Sequence, residues 1–262
     1  MSAFRFKTLS LVAATLMGSA AADDRWAPHA DGGPVNQLVV SGNACGPAAL
    51  LTSLRCGDES WRSVAERIPG STDRSKLLYI IKAHGLRPST SLKGRKRWTR
   101  DGINAEDLTV VAGELAGIKA LPGPRSEELF RKGRETPVKL LRRCHDRLRD
   151  SLKRGLPPVL SIRRYAFRNG QWQSIQAHFV TVVRVPEKID RKATSFSFTY
   201  YDPWRGKKHE GTIRIPTEPL LSADGQSSSC LEAQVPAADV GRKKLRRGER
   251  SVVVPVVTIG RW

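Results

Sequence analysis

The sequence predicts an α+β protein in which helices pack on an antiparallel sheet, and three observations carry that expectation. Between residues 45 and 154 apolar side chains recur in several stretches at spacings of three and four, the period of an amphipathic helix. From residue 159 onward β-branched and aromatic runs take over, with alternation of small polar and large apolar side chains from Ser195 to Phe198. The two longest runs, residues 174–186 and 195–206, are joined by a short polar segment, the pattern of a hairpin rather than of a helical crossover.

Residues 1–22 read as an export signal. Arg5 and Lys7 form a basic start, residues 9–14 with Leu16 and Met17 an apolar middle, and Ala20-Ala21-Ala22 a small-residue cleavage site. The apolar run is shorter than the ~20 residues a bilayer span needs, and no later segment is long and apolar enough to cross one. The mature chain is therefore expected to be exported, periplasmic or extracellular, without a transmembrane segment. Setting the signal aside leaves 240 of 262 residues, which suits a single domain with a substantial core. The formal charge of +20 falls to +18 with the loss of Arg5 and Lys7. A balance this basic implies attraction to polyanions such as nucleic acid, anionic surface polymers or lipid head groups. No helix-turn-helix, zinc-finger or aromatic single-strand-binding pattern accompanies it, so sequence-specific nucleic-acid reading is not expected.

Residues 23–36 are rich in Gly, Pro and Asp and read as an extended segment leading into the domain, residues 37–262. Gln37 to Val40 is a short strand or an approach loop. Pro47 suits the first turn of a helix, and Ala48, Ala49, Leu50, Leu51 and Leu54 continue it until Cys56-Gly57-Asp58 caps it. A second helix is expected over residues 60–68. A third follows the cap-type residues 71–75, with Leu77, Leu78, Ile80 and Ile81 on one face and an end near Gly85. Residues 86–105 read as irregular, with Lys93, Arg95, Lys96, Arg97 and Arg100 around Trp98 forming either a polyanion-binding or a solvated loop. Gly113 and Gly117 weaken a helix over residues 108–121. Val138, Leu141, Cys144, Leu148 and Leu152 mark a helix with one buried stripe and a basic opposite face, followed by a strand at residues 159–163. A basic extension from about residue 207 carries a flexible loop at 225–229 and a charge run at 242–250. A last strand at 251–259 is placed at a sheet edge by Pro255.

Cys45 is the candidate nucleophile. A cysteine at a helix start faces unpaired N–H groups and the positive end of the helix dipole, both of which favour thiolate. The alternative is a buried, inert cysteine. If Cys45 is kept reduced, Cys56, Cys144 and Cys230 remain, and at most one disulfide can form among them. No pair has metal-knuckle spacing, so neither a zinc ion nor another cofactor is expected.

The hairpin supplies partners. If its strands pair about Asp190, facing residue numbers sum to about 380, which sets His178 opposite Asp202, Val180 opposite Tyr200, Val182 opposite Phe198 and Arg184 opposite Phe196. Facing Cβ atoms lie ~4.5–5.5 Å apart, so the imidazole and carboxylate can bond. Together with Cys45 these residues compose a nucleophile, a base and an orienting group. His29, His84, His145 and His209 have no carboxylate arranged like Asp202.

With Asn-Ala-Cys45-Gly-Pro-Ala-Ala-Leu, Ala-His178-Phe-Val-Thr-Val-Val and Tyr-Asp202-Pro-Trp-Arg-Gly set out, the chain resembles the papain-like cysteine peptidases that process bacteriocin leaders, the double-glycine type, and their stand-alone relatives. The resemblance covers residues 37–206 and implies a papain-like fold. It implies that Cys45 attacks a carbonyl, that His178 takes and returns the proton, and that Asp202 holds the imidazole. The oxyanion would meet the Cys45 N–H and a side-chain amide. In the family that amide is a Gln six residues before the Cys, where this chain has Val39; Gln37 and Asn43 are the candidates here. Trp204 is a candidate for binding the peptide or protein substrate. The same triad also serves transglutaminase-like acyl transfer, and the high charge fits a basic binding protein on a peptidase scaffold.

Overall fold

The computed structural model describes residues 23–222 and 228–262, so the export signal and residues 225–227 of the expected flexible loop lie outside the described residues. The chain opens with β1 (Asp24–Trp26) and passes through short 3-10 turns at Ala30–Gly32 and Gln37–Val39. Helices α1 (Cys45–Arg55), α2 (Glu59–Arg67) and α3 (Asp73–Tyr79) follow, and α3 runs on into a π-helical turn, Ile80–Gly85. A small ladder of β2 (Trp98–Thr99) and β3 (Gly102–Ile103) precedes α4 (Ala105–Gly117), β4 (Arg125–Glu128) and α5 (Pro137–Lys153). The remainder is strand: β5 (Val159–Arg168), β6 (Gln171–Pro186), β7 (Ser195–Asp202), β8 (Lys207–Arg214), β9 (Glu232–Gln234) and β10 (Ser251–Gly260).

The fold is α+β. Its main sheet has eight strands in the order β4-β10-β5-β6-β7-β8-β9, all neighbours antiparallel, with β1 added on β6. Strand β5 covers β6 from Gln171 to Thr181, and β1 takes over the vacated edge at Arg184. Apolar residues on both faces of the sheet explain the helices on either side. Val252, Val254 and Phe179 join a core with α1, α2 and α4, while Val253, Val180 and Val182 join one with α5. The alternation follows the period of two along each strand. Helix α1 lies against β6, where Thr181 Oγ1 donates to Ala49 O at 2.7 Å.

Local signals account for the helix starts. The Asp58 carboxylate accepts from the N–H groups of Ser60 and Trp61, and Thr72 forms a capping box with Ser75. Helix α4 corrects an expectation, since Gly113 and Gly117 do not prevent it. Asn104 caps it through the Asp107 N–H, and Leu108, Val111, Ala112 and Leu115 are buried, which outweighs ~1 kcal/mol per glycine. The approach at Gln37–Val39 is a 3-10 turn, not a strand.

The hairpin register also differs from expectation. Thr181 faces Tyr201 and Val182 faces Tyr200, so the numbers sum to 382; beyond a bulge Arg184 faces Thr199. Val182 thus does not face Phe198, nor Arg184 Phe196. The connection is asymmetric: β6 runs on to Pro186, where β1 pairs with it. A shift of two keeps each side chain on its face, so His178 and Asp202 meet diagonally rather than directly opposite.

Strand β8 was not foreseen, because Lys207, Lys208, His209 and Glu210 lack a strand-like pattern, yet it pairs with β7 along its full length. Strand β10 lies between β5 and β4 rather than at an edge, and Pro255 is tolerated because the ladder with β5 breaks register between Pro255 and Val257. The four cysteines are unbridged, and burial pushes the thiols of Cys56, Cys144 and Cys230 up to about 12. Among the described residues no helix is long and apolar enough to cross a membrane.

Candidate active site

Cys45 is the first residue of α1, and Ala44 before it offers no side-chain cap. The N–H groups of that turn are therefore left for other acceptors, and Gly46 N–H bonds the Cys45 sulfur. Gly46 is required by close approach: a Cβ there would collide with Ile103 Cγ2 of β3. Phe179 N–H from β6 also bonds the Cys45 sulfur, and the third partner is the His178 side chain.

His178 and Asp202 are both buried, and His178 Nε2 lies 2.7 Å from Asp202 Oδ1. With Nε2 so engaged, Nδ1 is the ring nitrogen that serves Cys45. Asp202 Oδ1 also accepts from Trp204 N–H at 2.7 Å, which fixes the carboxylate at the end of β7. The β6–β7 ladder stops at Thr181 and Tyr201, short of both side chains, which leaves them free to meet.

These contacts set the ionisation. Burial alone would raise the Cys45 thiol, but the hydrogen bond and charge of His178 and the two backbone N–H groups together hold it below the ordinary thiol range. Burial alone would lower His178, but its bonds to Asp202 and Cys45 and their charges push it up to about 10. Both shifts favour a thiolate–imidazolium pair. The chain matches no protein-family model, and no curated protein is significantly similar to it.

The sulfur opens on a cleft of about 380 Å³. Its walls include Gly42, Asn43 and Trp204, the β2–β3 turn from Arg100 to Ile103, the start of β6 at Ile175–Ala177, and Asp239 and Lys244. A second hollow of about 300 Å³ shares Ile103, Ala177 and Phe179 with it and extends toward Phe130, Arg163 and Tyr165.

The two amide candidates have different surroundings. Asn43 lines the cleft, but its Nδ2 donates to Thr99 O at 3.0 Å and Arg100 O at 2.7 Å, so it staples the β2–β3 turn to the Cys45 loop. Gln37 is buried behind that loop, with Nε2 donating to Gly42 O at 2.6 Å and its backbone N–H to Pro203 O at 2.9 Å. Gln37 Nε2 keeps a second hydrogen and Asn43 Nδ2 keeps none.

The expectation for the other histidines needs correction. His84 Nδ1 lies 2.6 Å from Glu114 Oε2, and Arg97 reaches the other oxygen at 2.9 Å. His29 lies 3.0 Å from Glu59. Neither joins a cysteine, because Cys56, Cys144 and Cys230 are buried in the cores. Gly46 and Ile103 were not identified from sequence; only the Cys-Gly pair hinted at close packing there. Among the described residues no cluster of three or more His, Cys, Asp and Glu side chains is placed to hold a metal.

Proposed function

We propose that the protein is an exported papain-like cysteine peptidase that cleaves peptide bonds through a thioester on Cys45. The observation that carries this reading is that His178 bonds Cys45 and Asp202 at once, which supplies nucleophile, acid–base and orienting group in one connected set. The Cys45 thiolate attacks the scissile carbonyl carbon, and the carbonyl oxygen takes the negative charge. Imidazolium at His178 gives its proton to the leaving amine as the C–N bond breaks, leaving the thioester. Neutral His178 then takes a proton from water, whose oxygen attacks the thioester, and returns that proton to the departing sulfur; the products are a carboxylic acid and an amine.

The tetrahedral oxyanion would be met by the Cys45 backbone N–H, which has no intrahelical acceptor at the first position of α1, and of the two amide candidates Gln37 is the one whose Nε2 keeps a hydrogen for it. Asp202 keeps Nδ1 of His178 aimed at the sulfur. The second hollow, which shares Ile103, Ala177 and Phe179 with the cleft, supports an extended polypeptide as substrate, and Trp204 in the cleft lining is the side chain for it to pack on. Screening a peptide library with the mature protein and with Cys45→Ala is the test. Cleavage that disappears in Cys45→Ala is expected; cleavage that survives it, or failure of iodoacetamide to label Cys45 faster than a free thiol near neutral pH, overturns the reading.

A further inference from the structure

We propose that the cleft takes an acidic polypeptide segment, held by two basic strips that lie far apart in the chain and meet beside Cys45 and His178. The inference rests on the peptidase reading and names its substrate class. One strip is the loop before β3, with Lys93, Lys96 and Arg100; the other is the 3-10 turn Arg242–Lys244 and the chain after it, with Arg247. Arg100 and Lys244 both line the cleft that holds Cys45 and His178.

Some of the cations elsewhere are neutralised by ion pairs. On the basic face of α5, Arg143 pairs with Glu127 and Glu135, Arg147 with Glu127, and Arg149 with Asp146 and Asp150. Arg25, Arg184 and Arg214 are likewise paired. Among the described residues Lys93, Lys96, Arg100, Lys243, Lys244 and Arg247 have no carboxylate partner. Of the two acids that line the cleft, Asp101 pairs with Arg95 at 3.5 Å, so Arg95, Arg100 and Lys244 outnumber Asp101 and Asp239 by one charge there. The uncompensated charge at this cleft is positive.

Both strips are fixed by their backbones, which leaves the cationic heads free. Asn43 bonds Thr99 O and Arg100 O, fastening the first strip beside Cys45. The second sits on the start of β6: Gly241 has φ +64, and a Cβ there would lie 2.8 Å from Gln176 Cβ and 3.1 Å from Ile175 Cγ2. Arg168 then ties it down, donating to Lys244 O at 3.1 Å and pairing with Glu249. Cations held in place before binding lose little freedom when a ligand arrives, and two walls of one sign focus the potential between them. Their chemistry fits a peptide with Asp or Glu on both sides of the bond to be cut.

The mature Cys45→Ala protein binds without turnover, so recognition can be measured apart from chemistry. Fluorescein-labelled peptides of equal length, with Glu, Gln or Lys flanking a neutral centre, are followed by anisotropy at low and moderate salt. The Glu peptide should bind tightest and weaken as salt rises. The pair Arg100→Glu and Lys244→Glu should weaken it at least tenfold. Lys188→Glu with Lys192→Glu, the same charge change past the far end of β6 and about 26 Å or more of strand from His178, should not. In the active protein the rim pair should lower kcat/KM on the Glu peptide more than on the Gln peptide. Equal binding of the Gln peptide, equal weakening by the distant pair, or tighter binding of inorganic polyphosphate than of any peptide overturns the proposal. Acidic-peptide binding with an unreactive Cys45 supports the basic cleft and refutes the peptidase reading.

Discussion

Replacing His178 by alanine removes both the hydrogen bond and the positive charge that hold the Cys45 thiol down, while the burial that opposes them stays. In the variant the thiol should return to the ordinary range near 8.5 or above it. At pH 6.5, two units below, an ordinary thiol is about 1 % ionised, so the variant loses up to ~100-fold in thiolate. Part of that is offset, because a more basic thiolate is the stronger nucleophile; over two units the gain is up to ~10-fold. The expected net loss in iodoacetamide labelling of Cys45 at pH 6.5 is thus about tenfold. The pH profile discriminates better than the rate at one point. Labelling of the native protein should level off at a lower pH than that of a free thiol, because its thiol is held down, whereas the variant's rate should climb about tenfold per unit until its thiol ionises. Peptidase activity should fall above about pH 10, where His178 loses the proton it must give to the leaving amine. Rapid mixing with iodoacetamide and mass spectrometry of the Cys45 peptide measures both profiles. A native profile that climbs through pH 8 like a free thiol, or one unchanged by His178→Ala, would refute the ion pair.

Asp202→Ala leaves His178 Nε2 and Trp204 N–H buried without an acceptor; it should cost ~1–3 kcal/mol for each by chemical denaturation and lower kcat ~10²–10⁴-fold, and an undiminished kcat would remove Asp202 from the triad. Gln37→Ala should lower kcat ~10²–10³-fold with little change in KM, whereas Asn43→Ala should act mainly on KM by releasing the β2–β3 turn; the reverse pattern in steady-state kinetics would reassign the oxyanion donor. Gly46→Ala should destabilise the protein by ~1–3 kcal/mol in thermal melts through its collision with Ile103, and Ile103→Ala should restore most of the loss; no rescue would place the strain elsewhere.

Features written in neighbouring residues were legible. The run from Pro47 to Leu54 marks a helix start by its own composition, and α1 begins at Cys45. The capping residues ahead of α3 did the same, and α5 followed its apolar stripe. His178 and Asp202 were found together despite a register two residues off, because a slip of two leaves both on one face. Elements stabilised by distant partners were not legible. Helix α4 survives two glycines because Leu108, Val111 and Leu115 are buried against other elements, and β8 is a strand because β7 presents a full-length edge to it. The basic loop at 93–100 and the run at 242–250 stood out as charge, but no local signal related one to the other.

By itself the sequence determined which side chains are available for chemistry and where a helix would begin at Cys45, since propensity, capping and period are properties of adjacent residues. It also determined that a histidine strand and an aspartate strand would pair. Tertiary structure alone decided that His178 bonds Cys45 and Asp202 together, that the thiol is held low and the imidazole high, and that Asn43 is spent on the β2–β3 turn while Gln37 is not. It also brought Arg100 and Lys244 to one cleft. The physical reason is that ionisation and charge focusing depend on burial and on distances of a few ångströms, which arise only where segments remote in the chain pack against one another.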